Sequence, residues 1–329
     1  MVERIEGSEQ IMKLENKKKV TKAMILAGGL GTRFLPETLA IAKELVAIGN
    51  EPILMVHLRD LVASGITDVL IVGNKLKEES FRNFINPPKE YLDKVIATGK
   101  AHFLDSYNEI ISKVKVTYVN QDDQEQIIDG KKYINEYYQK SGSSIAVMAG
   151  KFWANGEPFM VINGDDLCVY DDGTLVAKEL IEVYQQTGDY VMYGREVDRK
   201  EIYKYSSMAI GEKIGEKGAK MLDIVEKPAP GTEMSNIMGF ARYVLLPDIF
   251  ERIEKSKPNK AGEYCYVDIY TDVAKEGHAS TCIFDGNYFD CGSIAGYTLA
   301  NTYFGIRNPE SAKRVEDGIR DILDKFGTK

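Results

Sequence analysis

Cysteine, tryptophan and histidine are scarce in this chain: four, one and three residues out of 329. Cys168, Cys265, Cys282 and Cys291 lie far apart, with no CxxC pair. That excludes a disulfide framework or a closely spaced zinc site and predicts reduced thiols in a cytoplasmic protein. His57, His102 and His278 share no motif, and we read them as packing or surface residues. No apolar run approaches the roughly 18 residues of a membrane span. The first twenty residues alternate acids and bases and lack the apolar core of a secretory signal. Basic excess is missing too. The net charge of −8 argues against nucleic acid as a partner, so any polyanionic ligand must be met by a local cluster of cations. What is present, 44% hydrophobic and 28% charged residues, suits a folded enzyme with a sizeable core rather than a disordered chain.

From residue 22 the chain alternates strand and helix patterns. Residues 23–27 (AMILA) form an apolar run ending in glycines, as a buried parallel strand does. Pro52 then opens a helical pattern that stops at Gly65, with proline at the first helical position. Further strands are predicted at 68–72, 114–119, 159–162 and 190–193, with a helix at 175–186. This order predicts an α/β fold with a doubly wound, mostly parallel, Rossmann-like mixed sheet. Beyond Glu196 shorter pieces (SSMAI, MLDIVE, MGFARYVL) joined by glycine-rich turns predict antiparallel additions that form a sugar-sized specificity region. Residues 122–140 are polar and tyrosine-rich, and from Pro309 the chain reads as a charged amphipathic helix. The division that follows is a charged extension (1–21), a catalytic domain (22–308, in halves 22–196 and 197–308) and a C-terminal helix (309–329).

The most informative segment is LAGGLGTRFLPET at 26–38, a strand end followed by three glycines, a basic residue and a proline. Glycines let backbone N–H groups approach a phosphate, and nearby cations complete such a site. Neither the Walker ending Gly-Lys-Ser/Thr nor the third glycine of the dinucleotide fingerprint is present; Phe34 stands in the latter's place. Together with AKELVAIGNEPIL the segment resembles the opening of the sugar-1-phosphate nucleotidyltransferases, with Gly29, Gly31, Thr32, Arg33, Pro36, Thr38 and Lys43 matching in order. NGDD at 163–166, VEKP at 225–228, Ser235–Asn236, ARYVL at 241–245 and FDCGSIAGY at 289–297 extend the match over residues 22–308. They are most similar to the bacterial UTP–glucose-1-phosphate uridylyltransferases.

The resemblance implies transfer of a nucleotidyl group from a nucleoside triphosphate to a sugar 1-phosphate, with Mg2+ as cofactor. Joining two anions calls for charge neutralisation and in-line positioning more than for a protein nucleophile. Magnesium suits it, being held by one or two carboxylates plus substrate phosphates. Asp165 directly follows a predicted strand, at the edge where ligands of open α/β sheets bind. By resemblance, Asp165 and Asp290 hold the metal, Asp166 serves a structural role, and Arg33, Lys43, Asp165 and Lys227 are the catalytic set. Nucleotide contacts fall on Ala27, Gly28, Gly29, Gly31, Thr32, Arg33, Lys43, Gln121, Gly142 and Asp165. The sugar phosphate falls to Gly164, Tyr205, Glu226, Lys227 and Asn236. A non-bridging oxygen of the sugar 1-phosphate then attacks the α-phosphorus and displaces pyrophosphate; no general base is needed, because that phosphate is already ionised. The family also implies a homo-oligomer.

The pattern departs from the uridylyltransferases at four places. Leu39 and Ala42 replace a lysine and a proline; Ser144, in GSSIA, replaces a glycine of the loop that holds the base; Ser206 replaces a glycine beside the sugar; and the 122–140 connection is longer than usual. Ser206 is expected to intrude where backbone meets the sugar. These changes leave the transfer chemistry in place and keep open another nucleotide or another hexose 1-phosphate, with a catalytically inactive sugar-nucleotide sensor as the alternative from a different class.

Overall fold

The structure is a computed structural model that describes residues 18–259 and 262–327. Of the charged extension expected over 1–21, residues 1–17 lie outside the described residues.

Nine strands make the central sheet: β1 (Lys22–Ala27), β2 (Asp68–Gly73), β3 (Lys115–Asn120), β4 (Phe159–Asn163), β5 (Tyr190–Glu196), β6 (Ser206–Ile214), β7 (Gly218–Glu226), β8 (Ile237–Leu245) and β9 (Ala279–Ile283). Their spatial order is β6-β7-β9-β5-β8-β4-β1-β2-β3. The neighbours β4, β1, β2 and β3 run parallel, as does β5 with β9, while β8 joins β4 and β5 antiparallel and β6–β7–β9 pair antiparallel. The first half of the chain thus builds the parallel side and the second half adds the antiparallel side, as the change of pattern after Glu196 predicts.

Helices cover both faces because the parallel strands are apolar in both directions. Along β1, Ala23, Ile25 and Ala27 face one layer, where Leu54, Leu58 and Leu61 of helix Ile53–Ala63 pack with Leu180 of helix Val176–Thr187. Met24 faces the other, against Ile145 of helix Ser143–Met148, Ile253 of helix Ile249–Lys255 and Tyr270 of helix Tyr266–Lys275. Pro52 sits one position earlier than expected, in extended geometry just outside its helix, because Glu51–Pro52 pairs with Ala47–Ile48 as a short ribbon. The C-terminal helix, Ala312–Phe326, is present and has no buried residue. No helix among the described residues is long and apolar enough to cross a membrane.

This topology fixes where ligands can bind. From β1 the chain winds one way to β2 and β3, then returns across β1 to β4, so the direction of winding reverses between β1 and β4. At such a switch point the connections leave on opposite faces and open a crevice beyond the carboxyl ends of the two strands. The register places Leu26 beside Asn163, Ala27 beside Gly73 and Gly73 beside Asn120. The glycine loop after β1, the Gly164–Asp165 turn after β4 and Gln121 after β3 therefore emerge at one edge.

Candidate active site

The glycine loop is folded back on itself. Gly31 adopts φ +69°, and a Cβ there would lie 2.8 Å from the Thr38 methyl, so glycine is required on both counts. The Thr38 hydroxyl donates to the Gly31 carbonyl at 2.9 Å, and buried Lys77 donates to the Thr38 carbonyl. Between these ties Thr32–Phe34 form a short 3-10 turn that leaves Arg33 exposed. Gly28 is held by Asn74, whose amide donates to its carbonyl at 2.9 Å. A Cβ on Gly28 would lie 2.6 Å from the Gln121 amide, and one on Gly29 3.4 Å from Lys43 Nζ. Gln121 and Lys43 thus close over the loop where its backbone is bare.

The carboxylates are gathered by a second ribbon. Asp166–Val169 pairs antiparallel with Asn287–Asp290, placing Asp166 opposite Asp290, and the Cys291 N–H donates to the Asp165 carbonyl at 2.9 Å. Gly292 lies at the centre: a Cβ there would be 2.4 Å from Asp165 Oδ2, 3.0 Å from Asp290 Oδ1 and 3.1 Å from Arg33 Nη2. Arg33 itself stands 3.7 Å from Asp290. The partly exposed ammonium of Lys43 is ion-paired with Asp165 Oδ2 and lies 3.6 Å from Glu44. Asp166 turns away from this centre, accepting from the Tyr288 hydroxyl at 2.6 Å and from Asn163 at 2.9 Å. Its pKa is pushed up to about 6 by burial and then by the neighbouring Asp165 charge.

Two carboxylates facing one small space, with no third His, Cys, Asp or Glu completing a metal cluster among the described residues, do not form a closed cage. The pair fits Mg2+, which binds hard oxygens, keeps several waters and relies on substrate phosphates for further ligands. Zinc favours nitrogen or sulfur ligands, and no group of three His, Cys, Asp or Glu that could hold a metal is found among the described residues.

Glu44 is the residue here that sequence reading passed over. Its carboxyl is buried, and neither oxygen makes a hydrogen bond among the described residues. Burial pushes its pKa up to about 8, with Lys43 opposing. For Lys43 burial disfavours the charge, but Asp165 and then Glu44 outweigh it and its pKa is raised. Lys43 is therefore held as an ammonium by Asp165, and burial biases Glu44 toward its neutral form. A carboxyl whose folded pKa exceeds its unfolded value contributes stability at low pH that is lost as pH rises through the folded value. The window runs from the ordinary 4.5 to about 8. Glu44→Gln, which keeps the shape and cannot ionise, is expected to flatten the fall of the thermal midpoint across that window. Melts at half-unit pH steps check this; an unchanged slope means Glu44 is ionised in the fold.

The residues expected at the sugar phosphate fall into two groups. Gly164 sits at the crevice, its N–H donating to the Leu26 carbonyl at 2.9 Å. Tyr205, Glu226 and Lys227 meet at the end of the β6–β7 hairpin, where Ser206 pairs with Glu226 and the Lys227 N–H donates to the Tyr205 carbonyl at 2.9 Å. Lys227 holds φ +45°, which its side chain and Pro228 both disfavour; the strain costs on the order of 1 to 3 kcal/mol. No hydrogen bond or ion pair among the described residues joins this hairpin end to Asp165. Asn236 is occupied, donating to Glu196 Oε1 at 2.8 Å.

Ser206 differs from expectation. Its hydroxyl accepts from the Gly239 N–H at 3.0 Å and donates to the same residue's carbonyl at 3.3 Å, so it points into the fold. Glycine at 239 makes the room, since a Cβ there would lie 3.2 Å from the Ser206 hydroxyl oxygen. Gly142, φ +117°, packs on Tyr264: a Cβ would be 2.3 Å from the Tyr264 carbonyl oxygen, and Ser144 donates its N–H to that oxygen at 3.2 Å. The Ser144 hydroxyl is buried without a hydrogen-bond partner among the described residues.

A cavity of about 680 Å3 lies elsewhere, lined by Asp171, Asp172, Glu179, Glu182 and Glu216 against Lys217. Its acidity repels a polyphosphate.

The chain as a whole resembles known proteins. Residues 22–304 match the nucleotidyl transferase family. The chain belongs to that family. A UTP–glucose-1-phosphate uridylyltransferase of Pseudomonas aeruginosa is 30% identical over 284 residues, which cover 86% of this chain and 95% of that protein. Among solved structures, an apo UDP-glucose pyrophosphorylase superposes with a TM-score of 0.76 at 31% identity, covering 87% of this chain and 98% of that one. A UDP-glucose pyrophosphorylase complexed with UDP-glucose does so with a TM-score of 0.72 at 30% identity, again over 87% and 98%. As a nucleotidyltransferase, this enzyme has its glycine loop, Gln121, Lys43, Asp165, Asp290 and Arg33 together at one edge of the sheet, with the 205–227 hairpin end as a separate element.

Proposed function

We propose that the enzyme transfers a uridylyl group from UTP to glucose 1-phosphate, giving UDP-glucose and pyrophosphate. The observation that carries the reading is the convergence of Asp165, Asp290 and Arg33 on Gly292, with Lys43 alongside and the glycine loop above. The relatives named above supply the substrate pair.

In this reading the 22–196 half binds the nucleotide. The loop 27–32 offers backbone N–H groups to the phosphates, Arg33 and Lys43 neutralise them, and Gln121 reads the base with help from the Gly142 segment. Asp165 and Asp290 would hold Mg2+, which would supply positive charge to offset that of the reacting phosphates. The 197–308 half carries the sugar phosphate: Lys227 meets its phosphate, Glu226 accepts from sugar hydroxyls, and Tyr205, Asn236 and Gly164 shape the rest. Binding moves Lys43 from Asp165 to a phosphate, because a triphosphate is the stronger anion. A phosphate oxygen of the sugar then attacks the α-phosphorus in line, the bond to pyrophosphate breaks, and no proton need be moved. The enzyme works in this reading as a homo-oligomer in the cytoplasm; light scattering against the 36.9 kDa chain mass tests the assembly.

Pyrophosphate release over four nucleoside triphosphates and several sugar 1-phosphates, with magnesium, tests the whole reading. UTP with glucose 1-phosphate is expected to lead; another leading pair keeps the chemistry and assigns Ser144 to altered base choice, and a silent grid with UDP-glucose still bound favours the sensor. Gln121→Ala is expected to cut the preference for UTP about tenfold, the worth of one lost recognition hydrogen bond. Unchanged preference moves base recognition away from Gln121.

A further inference from the structure

Three polar side chains lie together beneath the Gly164–Asp165 turn, two of them buried and the third, Asp60, partly exposed. Arg242 projects from β8, His57 and Asp60 from one face of helix Ile53–Ala63 at i and i+3. Arg242 Nη1 donates to Asp60 Oδ2 at 3.2 Å, and Asp60 accepts from the N–H groups of Val176 and Ala177 at 2.8 and 3.0 Å, at the start of the next helix in that layer. Arg242 Nη2 lies 3.2 Å from His57 Nδ1, and His57 Nε2 lies 3.1 Å from the Gly164 carbonyl oxygen. His57 and Arg242 are both 1% exposed or less.

The chemistry of the donors fixes the direction of the whole chain. Guanidinium has no acceptor, so His57 Nδ1 must be a bare lone pair, and the neutral ring then carries its hydrogen on Nε2, facing Gly164. Burial, followed by the Arg242 charge, lowers the His57 pKa to about 3, so the ring is neutral through the working pH range and is not a proton carrier. The turn is meanwhile tied at its other polar groups: the Gly164 N–H to Leu26 and the Asp165 carbonyl to Cys291. A Cβ on Gly164 would lie 2.7 Å from Glu44 Cγ and 3.0 Å from the Leu26 carbonyl oxygen, so the backbone is also wedged by contact. The His57 bond is the tie that reaches it from the helix layer below.

We propose that His57 is a positioning residue for the nucleotidyl transfer, its Nε2–H holding the Gly164 carbonyl so that the adjoining Asp165 carboxylate keeps its aim at the space beside Gly292; the catalytic part of this rests on the function proposed above. Such a role needs no contact with substrate, because a displacement of about 1 Å in a reacting group is enough to cost about 10²-fold.

Two substitutions separate positioning from bulk stability. In His57→Asn the amide oxygen still accepts from Arg242, leaving no unpaired guanidinium, but the side chain falls short of Gly164. In His57→Gln the amide nitrogen reaches it. His57→Asn is expected to lower kcat about 10- to 100-fold with KM for both substrates little changed, and to speed hydrogen exchange of the Gly164 amide; His57→Gln restores both. Wild-type kcat or unchanged exchange in a folded His57→Asn enzyme overturns the proposal, as does a glutamine variant no better than the asparagine one. The exchange readout needs no turnover, so a wild type inactive over the whole substrate grid would refute the function reading while exchange still decides the positioning. Should His57→Asn not fold, the ring nitrogen resonances of the wild-type enzyme decide: with three histidines in the chain they are assignable, and a hydrogen found on Nδ1 of His57 overturns the proposal.

Discussion

Asp165→Ala is expected to reduce pyrophosphate release about 10³-fold or more while leaving the melting transition nearly in place. The size follows from removing one of the two carboxylates that face Gly292. In the proposed function they would hold a metal supplying several kcal/mol of charge stabilisation, and each 1.4 kcal/mol is a factor of about ten. The intact fold follows from position. Asp165 lies in a turn, its carbonyl bond from Cys291 is backbone and survives, and truncation opens no cavity in either apolar layer. One internal adjustment is expected. Lys43, deprived of Asp165, has Glu44 3.6 Å away, so Glu44 should ionise more readily in the variant and the pH slope of stability should shrink. Single-turnover kinetics with a magnesium titration checks the loss, and activity retained at saturating magnesium removes Asp165 from the metal role.

Gly292→Ala tests the same centre by filling it. Glycine 292 is not in the left-handed region, so alanine suits the backbone there and the effect comes from the methyl group alone. That methyl would sit 2.4 Å from Asp165 Oδ2 and 3.0 Å from Asp290 Oδ1, closer than van der Waals contact allows, and would push the two carboxylates apart. Turnover is expected to fall about 10²-fold, with a higher half-saturating magnesium concentration. UTP binding measured without metal should hold, since the loop 27–32 is not displaced. If magnesium dependence is unchanged and turnover falls, the damage lies with Arg33, 3.1 Å from the same point.

The parts of this site that could be read in the sequence are those that chain-local rules dictate. A strand end followed by glycines announces a loop with bare backbone, and Asp165 is readable because a carboxylate after a buried strand emerges at the ligand edge. Arg33, Lys43 and Asp290 came through resemblance, and the ribbon that brings Asp290 to Asp165 pairs segments far apart in sequence. The supporting side chains are another matter. Nothing local distinguishes Glu44 from a solvated acid, since its burial depends on the turn after β4. Arg242 inside the apolar strand MGFARYVL, and His57 with Asp60 on the apolar face of a helix, did carry a signal: a charge among core positions must find a partner. Which partner is a tertiary fact. The 122–140 segment was legible and missed: it contains the hairpin Glu125–Ile128 and Lys131–Ile134, and Asp129-Gly130 at its tip, with φ +51° and +73°, is a strong two-residue turn signal. Ser206 was misjudged because the room made by Gly239, on a strand that is not its sheet neighbour, cannot be seen along the chain.

The ribbon pairing Asp166–Val169 with Asn287–Asp290 has a consequence for when the protein becomes an enzyme. During synthesis the glycine loop, Lys43 and Asp165 have all emerged once the first half of the chain is made. Asp290 and Gly292 come last, and they reach Asp165 only after the antiparallel strands between them have found their places, a closure of long range that is slow by nature. Under the proposed function a chain that ends before this ribbon forms lacks Asp290 beside Asp165, so the onset of activity is expected to mark a completed fold.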